Sequence, residues 1–433
     1  MTSLPEASVE ESFRVVFLGV LPAVSRGLFS PRPKVTRLQT SIDADRRTVA
    51  ALGEIRRKHP GQGVKLLGGR IVVLWGPDAI AEVLEQSADV YDSGSGAKGK
   101  GMRHFQPDAL TLSQGEEWRD RRRFTESVLA TSERVHPLAD RFLAVASEEV
   151  EALRLGSTLE WKDFERLFDR LTLRVIFGDR ARGDQELTEL LEKLMSEANR
   201  LVGLSQGDDF YEFYGMLESQ LRDPEPGSLI SRFADAPQSD STRVVHQLPH
   251  WMFAMRDTLA TNVYRALAAI AAQPEVERRV LEDLEGTDIG DPSQLDGLTY
   301  LEGCLQETMR LWPTTPLLAR QTTREATLAG DQIDEGAQVM MLNVFNHRDP
   351  QTAPDIDRMK PEREPDVRFN HLSGGSQNCP GGPLVSLLGK AVLAQFFSRY
   401  RMHLREPALP SEGDMPHMLD AFAIRFGVAP REL

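Results

Sequence analysis

The segment His371-Leu372-Ser373-Gly374-Gly375-Ser376-Gln377-Asn378-Cys379-Pro380-Gly381-Gly382 gathers the residue types best able to do chemistry. Its glycines let the backbone turn tightly and approach another group closely. A helix is predicted from Gly382 to Tyr400, so Cys379 stands just before a helix N-terminus. Backbone N–H groups and the helix dipole there favour a thiolate. One thiolate in a glycine-rich loop suits axial ligation of haem iron. A small buried cysteine in a Schellman-type turn needs the same residues, and this segment alone allows both readings.

Three other segments carry paired groups. Glu307 and Arg310 lie three apart on a helix expected from about Tyr300 to Trp312, on one face, where they can form a charge-assisted pair. Taken alone, such a pair reads equally as a solvated surface pair. Asp257 and Thr258, in Ala254-Met255-Arg256-Asp257-Thr258, fall in a long apolar helix that runs through Ala272. An acid beside an alcohol is costly there unless satisfied or used; a bond from Thr258 back to the Ala254 carbonyl is the local alternative. Trp118 and Arg122, four apart, project from one helix face.

The elements that must position these groups read as mostly helical. Windows at Trp118–Leu129, Val135–Leu155, Trp161–Phe177 and Gln185–Leu204 have helical spacing. Val64–Leu67 and Arg70–Trp75, joined by Gly68-Gly69, read as a hairpin, and Pro77-Asp78 opens a helix. Asp92 to Gly101 reads as a mobile loop and Gly207 to Pro237 as loop-rich, while Pro249 predicts a kink or late start in the long helix.

In order along the chain, the four segments resemble the C-helix Trp-x-x-x-Arg, the I-helix acid–alcohol pair, the K-helix Glu-x-x-Arg and the haem-binding cysteine loop of the cytochrome P450 family. Asn346-His347-Arg348-Asp349-Pro350, Lys360-Pro361-Glu362-Arg363 and Val175-Ile176-Phe177-Gly178-Asp179 resemble further stretches of it. The resemblance implies a mainly α fold with small β-sheets (α+β). It implies the cytochrome P450 fold of the bacterial soluble type, as a single haem-containing domain over residues 1–433. The β-rich portion is expected at about 60–76 and 315–345, the helical portion at about 118–312 and 382–400.

The resemblance also implies roles. Cys379 is the proximal thiolate ligand of haem b, with the Gly381 N–H directed at the sulfur and Pro380 unable to donate one. Trp118, Arg122 and Arg320 bind the haem propionates. Glu307 and Arg310, with Arg363, hold the cysteine loop. Asp257 and Thr258 serve oxygen activation, the acid feeding protons from outside. The substrate pocket takes Met252, Ala254, Met255, Thr315, Leu317 and Leu318, with residues of the 92–110 and 195–220 zones.

The expected activity is insertion of one oxygen atom from O2 into a lipophilic small molecule, by hydroxylation or epoxidation, in specialised metabolism. The expected electron donors are ferredoxin and ferredoxin reductase using NAD(P)H, with Arg119, Arg121 and Arg123 offering a basic docking patch around Arg122. An H2O2-dependent fatty-acid peroxygenase is the alternative. It shares Cys379-Pro380-Gly381 but places arginine and proline where this chain keeps Asp257-Thr258. A non-catalytic haem sensor is a third reading. The chain departs from the family at Leu372 (usually aromatic), Gln377 (usually basic) and Met255 (usually glycine). Arg256 is expected to point to solvent, or else to meet a substrate carboxylate.

The remaining composition excludes other classes. A net charge of -14 over 433 residues argues against nucleic-acid binding. Two cysteines exclude a disulfide scaffold and a four-cysteine zinc site; Cys304 reads as a packing residue. Gly94-Ser95-Gly96-Ala97-Lys98-Gly99-Lys100-Gly101 nearly matches a phosphate-binding loop but lacks the Ser/Thr after lysine that would hold Mg²⁺. Glu6, Glu10 and Glu11 give an acidic start unlike an export signal, and the apolar run from Val15 to Leu21 is too short to span a membrane. An amphipathic packing arm, a cytoplasmic location and a monomer are expected.

Overall fold

The computed structural model describes residues 4–201 and 203–431, the side chain of Ala97 excepted. Val202, within the 195–220 pocket zone, lies outside them. Helical periodicity in the sequence becomes the frame. Trp161–Phe177 is one helix, burying Phe164, Leu167, Phe168 and Leu171 at steps of three and four. Gly115–Val128, Ala139–Ala152, Gln185–Ala198, Thr299–Leu311 and Gly382–Arg399 fill the other expected windows. One large apolar core runs through them, and two smaller clusters lie against the main sheet.

The hairpin forms between Gly63–Leu66 and Ile71–Leu74. Gly68 and Gly69 turn it with φ of +68° and +81°, a region closed to most side chains. The second strand continues in parallel with Gln338–Met341, which pairs antiparallel with Leu318–Thr322 and so seats Arg320 in the sheet. Tyr91–Asp92 closes the five-stranded sheet. A three-stranded sheet joins Thr158–Glu160, Arg425–Pro430 and Tyr400–Glu406, and a two-stranded one joins Ala326–Leu328 to Asp331–Ile333.

The expected loops need correction. Gly96–Phe105 is a helix, not a mobile loop. Its glycines serve close packing: a Cβ on Gly101 would lie 2.1 Å from the Phe29 ring. Asp208–Leu221 is also a helix, burying Phe210, Phe213, Tyr214 and Leu217. The long helix starts late, as Pro249 predicts. It runs as Leu248–Phe253, a π-helical turn Ala254–Leu259, then Ala260–Ala272.

Ahead of the hairpin, Val9–Val15, Val16–Val20 and Leu21–Ser25 form a continuous helical arm, opened by a capping box between Ser8 and Glu11. It packs inward through Val15 and Gly19, yet Val9, Phe13, Phe17 and Leu21 are exposed on its outer face. Asn199 anchors the chain after it, accepting from the Leu28 N–H at 2.8 Å and donating to the Ser30 carbonyl at 2.8 Å. Among the described residues no helix is long and apolar enough to cross a membrane.

Candidate functional site

The cysteine loop is fixed from several sides. The Cys379 N–H donates to the Leu372 carbonyl at 2.9 Å, and the Gly382 N–H to the Cys379 carbonyl at 3.2 Å, where the helix Gly382–Arg399 begins. Thr131 donates its hydroxyl to the Pro380 carbonyl at 2.5 Å. Burial pushes the Cys379 thiol up from its ordinary value, against the pull of the Gly381 N–H and the Arg122 charge. A thiolate desolvated in this way therefore calls for a cation bound to the sulfur. Cys304, by contrast, is fully buried in the core.

Arg122 is buried and grips this loop. Its guanidinium donates to the Asn378 carbonyl at 2.6 Å, to the Asn378 side-chain oxygen, and to Glu126 at 2.5 Å. It was expected at a propionate; the structure gives three of its donors to the protein. Trp118, on the same helix, is half-buried, and its indole N–H has no partner among the described residues. Arg320 is 2% exposed. It donates to Ser87 at 3.0 Å, to the Ala319 carbonyl at 3.0 Å and to Ser373 at 3.4 Å, yet it faces no carboxylate within ion-pair distance among the described residues. Burial draws it down to about 10.

The Glu307–Arg310–Arg363 cluster forms as expected. Arg310 pairs with Glu307 at 2.5 and 2.8 Å, and Arg363 reaches the same carboxylate at 3.2 Å. Arg310 also donates to the carbonyls of His347, Ile356 and Arg358. One buried arginine thereby ties three turns of the segment leading to the cysteine loop. Arg348 does likewise for Leu311, Met415 and Pro416.

Asp257 and Thr258 sit together on the π-helical turn, a device common where helices carry function. Both line a cavity of about 150 Å³. The Thr258 hydroxyl makes no hydrogen bond among the described residues, so the local bond to Ala254 does not form. Burial pushes the Asp257 carboxyl up to about 7, despite Arg256 at 3.4 Å. Arg256 corrects both expectations for it. It is 6% exposed rather than at the surface. It also turns away from the cavity, donating to Asp169 at 2.7 Å and to Glu192. There it closes a polar cleft of about 610 Å³ between the helices Trp161–Phe177 and Gln185–Ala198.

The pocket assignment changes in part. Ala254 is half-buried on the central helix and is not part of the cavity wall, and Met252 and Met255 pack into the core. Leu318 is buried against the sheet and Leu317 packs on the cluster behind it. Thr314 and Pro316 line the cavity instead of Thr315. Residues 23–31, among them Phe29, and residues 418–422 supply much of the remaining wall, with Phe253, Thr261, Arg265 and Trp312 from the helical frame. No periodicity marks those residues as a wall; only the tertiary fold brings them there. The basic patch is also smaller than expected. Arg121 is buried on Ser113 and the Ser241 carbonyl, while exposed Arg119 and Arg123 face Glu116 and Asp120.

Comparison with known proteins follows the same lines. Residues 210–419 match the family model "Cytochrome P450". Probable cytochrome P450 4d20 of Drosophila melanogaster is 27% identical over 268 residues, 56% of this chain and 51% of that protein. Cytochrome P450 81F4 of Arabidopsis thaliana is 25% identical over 354 residues, 68% and 70% of the two chains. Tabersonine 6,7-epoxidase isoform 2 of Catharanthus roseus is 32% identical over 173 residues, 37% and 34%. The chain spans about half the length of the first of these relatives. All three are eukaryotic, and nothing in them supports the bacterial soluble type.

The family's cofactor is haem b, and the donor set fits it: a half-buried thiol for iron, and two donors for propionates, buried Arg320 with no acid partner among the described residues and the open Trp118 indole N–H. With the cysteine loop, the Glu307–Arg310–Arg363 cluster and the π-turn acid and alcohol set in one helical frame, the chain belongs to the cytochrome P450 family.

Proposed function

We propose that this protein is a monooxygenase that inserts one oxygen atom from O2 into a lipophilic small molecule in specialised metabolism. Haem with a thiolate ligand supplies reductive O2 activation and oxygen-atom transfer when bound. Cys379 offers the thiolate, Gly381 a backbone donor to it, and Arg320 and Trp118 donors for carboxylates. Glu307, Arg310 and Arg363 hold the meander that leads into the loop. The carrying observation is the pairing of Asp257 and Thr258 on one π-turn. Asp257, brought to about 7, can hold or give a proton at neutral pH. Thr258, whose hydroxyl has no partner among the described residues, is free to pass that proton into the cavity.

Hydroxylation and epoxidation are both open to such a site, and one relative is named as an epoxidase. Arg256 does not support the peroxygenase reading, because its guanidinium is spent on Asp169 and Glu192 away from the cavity. Electrons come from a separate protein. A ferredoxin with its reductase is the proposed donor, docking on exposed Arg119 and Arg123, which share a helix with the loop-gripping Arg122. Cytoplasmic, monomeric operation belongs to the same proposal.

The test is a reduced-CO difference spectrum of the wild type and Cys379→Ser, followed by O2-dependent turnover with a ferredoxin system against H2O2 alone. A band at the position of imidazole-ligated haem, or gas binding with no product from any substrate panel, overturns the reading. Thr258→Ala should consume NAD(P)H with little product; full coupling in that variant removes the role given to Thr258.

A further inference from the structure

The cavity that holds Asp257 and Thr258 carries two charged groups that the proposed mechanism does not use. Arg265 lies on the helix Ala260–Ala272, seven residues past Thr258 and so about 10 Å from it along the axis. Asp420 caps the short turn Ala421–Ala423, accepting from the Phe422 N–H at 3.1 Å. Both residues line the same cavity as the acid and the alcohol.

One contact sets them side by side. The Arg265 Nε donates to the carbonyl of Leu419, the residue before Asp420, at 2.9 Å, and its Nη1 donates to the Trp312 carbonyl at 3.0 Å. Nη2 has no partner among the described residues, and neither has Oδ2 of Asp420. No ion pair joins the two side chains, although each feels the charge of the other. Burial draws Arg265 down to about 10 and pushes Asp420 up from its ordinary value. Arg26 and Asp45, on the same wall, pair with each other instead.

A cation and an anion held apart in one wall select by charge. A carboxylate drawn to Arg265 meets Asp420, and an ammonium drawn to Asp420 meets Arg265, so either ligand sets like charges together. A neutral group with an acceptor beside a donor escapes both penalties. A primary carboxamide or a lactam has that arrangement, because its planar C–N bond holds the C=O and one N–H on the same side. Phe253, Trp312 and Phe422 supply apolar wall for the rest of such a molecule.

We propose that Arg265 and Asp420 form an amide-binding point, and that the substrate is a lipophilic carboxamide or lactam. The amide oxygen accepts from Nη2 of Arg265 and the amide N–H donates to Oδ2 of Asp420. The hydrocarbon then extends about 10 Å along the central helix to reach Thr258.

The inference rests on the haem-thiolate reading above, and the experiment separates the two. Calorimetric titration of the holoenzyme uses octanamide, N,N-dimethyloctanamide and octanoic acid as probes. Octanamide should bind at least about tenfold more tightly than either of the others, the scale of a hydrogen bond to a charged group. Asp420→Asn keeps an oxygen for the Phe422 N–H and removes the charge. It should erase most of the preference for octanamide over its dimethyl analogue and bind octanoic acid about tenfold more tightly than the wild type does. Arg265→Met should weaken octanamide by about tenfold. That variant also strands the Leu419 and Trp312 carbonyls, so Asp420→Asn carries the test where Arg265→Met does not fold. Equal affinity of the wild type for the two amides overturns the inference, as does octanoic acid binding that Asp420→Asn leaves unchanged. A missing thiolate band in the reduced-CO spectrum of the same samples would instead defeat the haem-thiolate reading, while the order of the three affinities still judges the amide-binding point.

Discussion

Replacing Asp257 by asparagine isolates the most perturbed acid in the protein. Its carboxyl stands at about 7 against an ordinary 3.8, because burial, with Glu192, Asp169 and Glu165 nearby, outweighs the favourable charge of Arg256. That displacement is worth about 4 kcal/mol. A carboxyl raised by folding favours the folded state in its protonated form. The benefit is complete below the unfolded value and is lost as pH rises from about 4 through about 7. Of the total, about 2.5 kcal/mol falls between pH 5 and pH 8. Asparagine has the same shape and no titration. In urea unfolding of holoenzyme, Asp257→Asn should therefore gain about 2.5 kcal/mol on the wild type between those two pH values. Any fixed cost of the amide cancels in this double difference. A difference between the proteins that stays constant within about 0.5 kcal/mol from pH 5 to 8 would refute the assigned burial of the acid.

Three further outcomes follow from the packing. Glu307→Gln strands Arg310 as a buried cation and should cost about 3–5 kcal/mol in chemical denaturation. Arg320→Leu removes the buried cation proposed to hold a haem propionate and should speed haem transfer to an acceptor protein by about tenfold, with the thiolate band intact. Gly101→Ala drives a methyl against the Phe29 ring and should cost about 1–3 kcal/mol, read as a lower melting temperature.

The residues that bind through fixed local spacing were readable from the sequence. Glu307 and Arg310, three apart, pair on one helix turn, and Cys379 stands at a helix start, because both arrangements depend only on helix geometry. The helix Asp208–Leu221 carried its own signal in Phe210, Phe213, Tyr214 and Leu217, but the breaker Asp223-Pro224-Glu225-Pro226-Gly227 just after it drew the whole stretch into a loop-rich zone. The glycines of 94–101 read as flexibility when their use is close approach: Gly101 meets the Phe29 ring and Gly94 the Leu112 backbone. Arg256 was misplaced for a similar reason: its partners Asp169 and Glu192 lie on two other helices. Which side of the central helix meets the cavity depends on a π-turn that no spacing rule foretells.

The cavity beneath Asp257 is walled by residues 23–31 from one end of the chain and 418–422 from the other. During synthesis the helical frame can form before the last residues emerge, but this wall cannot. Enclosure of this cavity thus waits for residues 418–422 to reach a wall laid down by residues 23–31. A ribosome-bound chain stalled before residue 418 would carry the cysteine loop and the π-turn with the chamber still open.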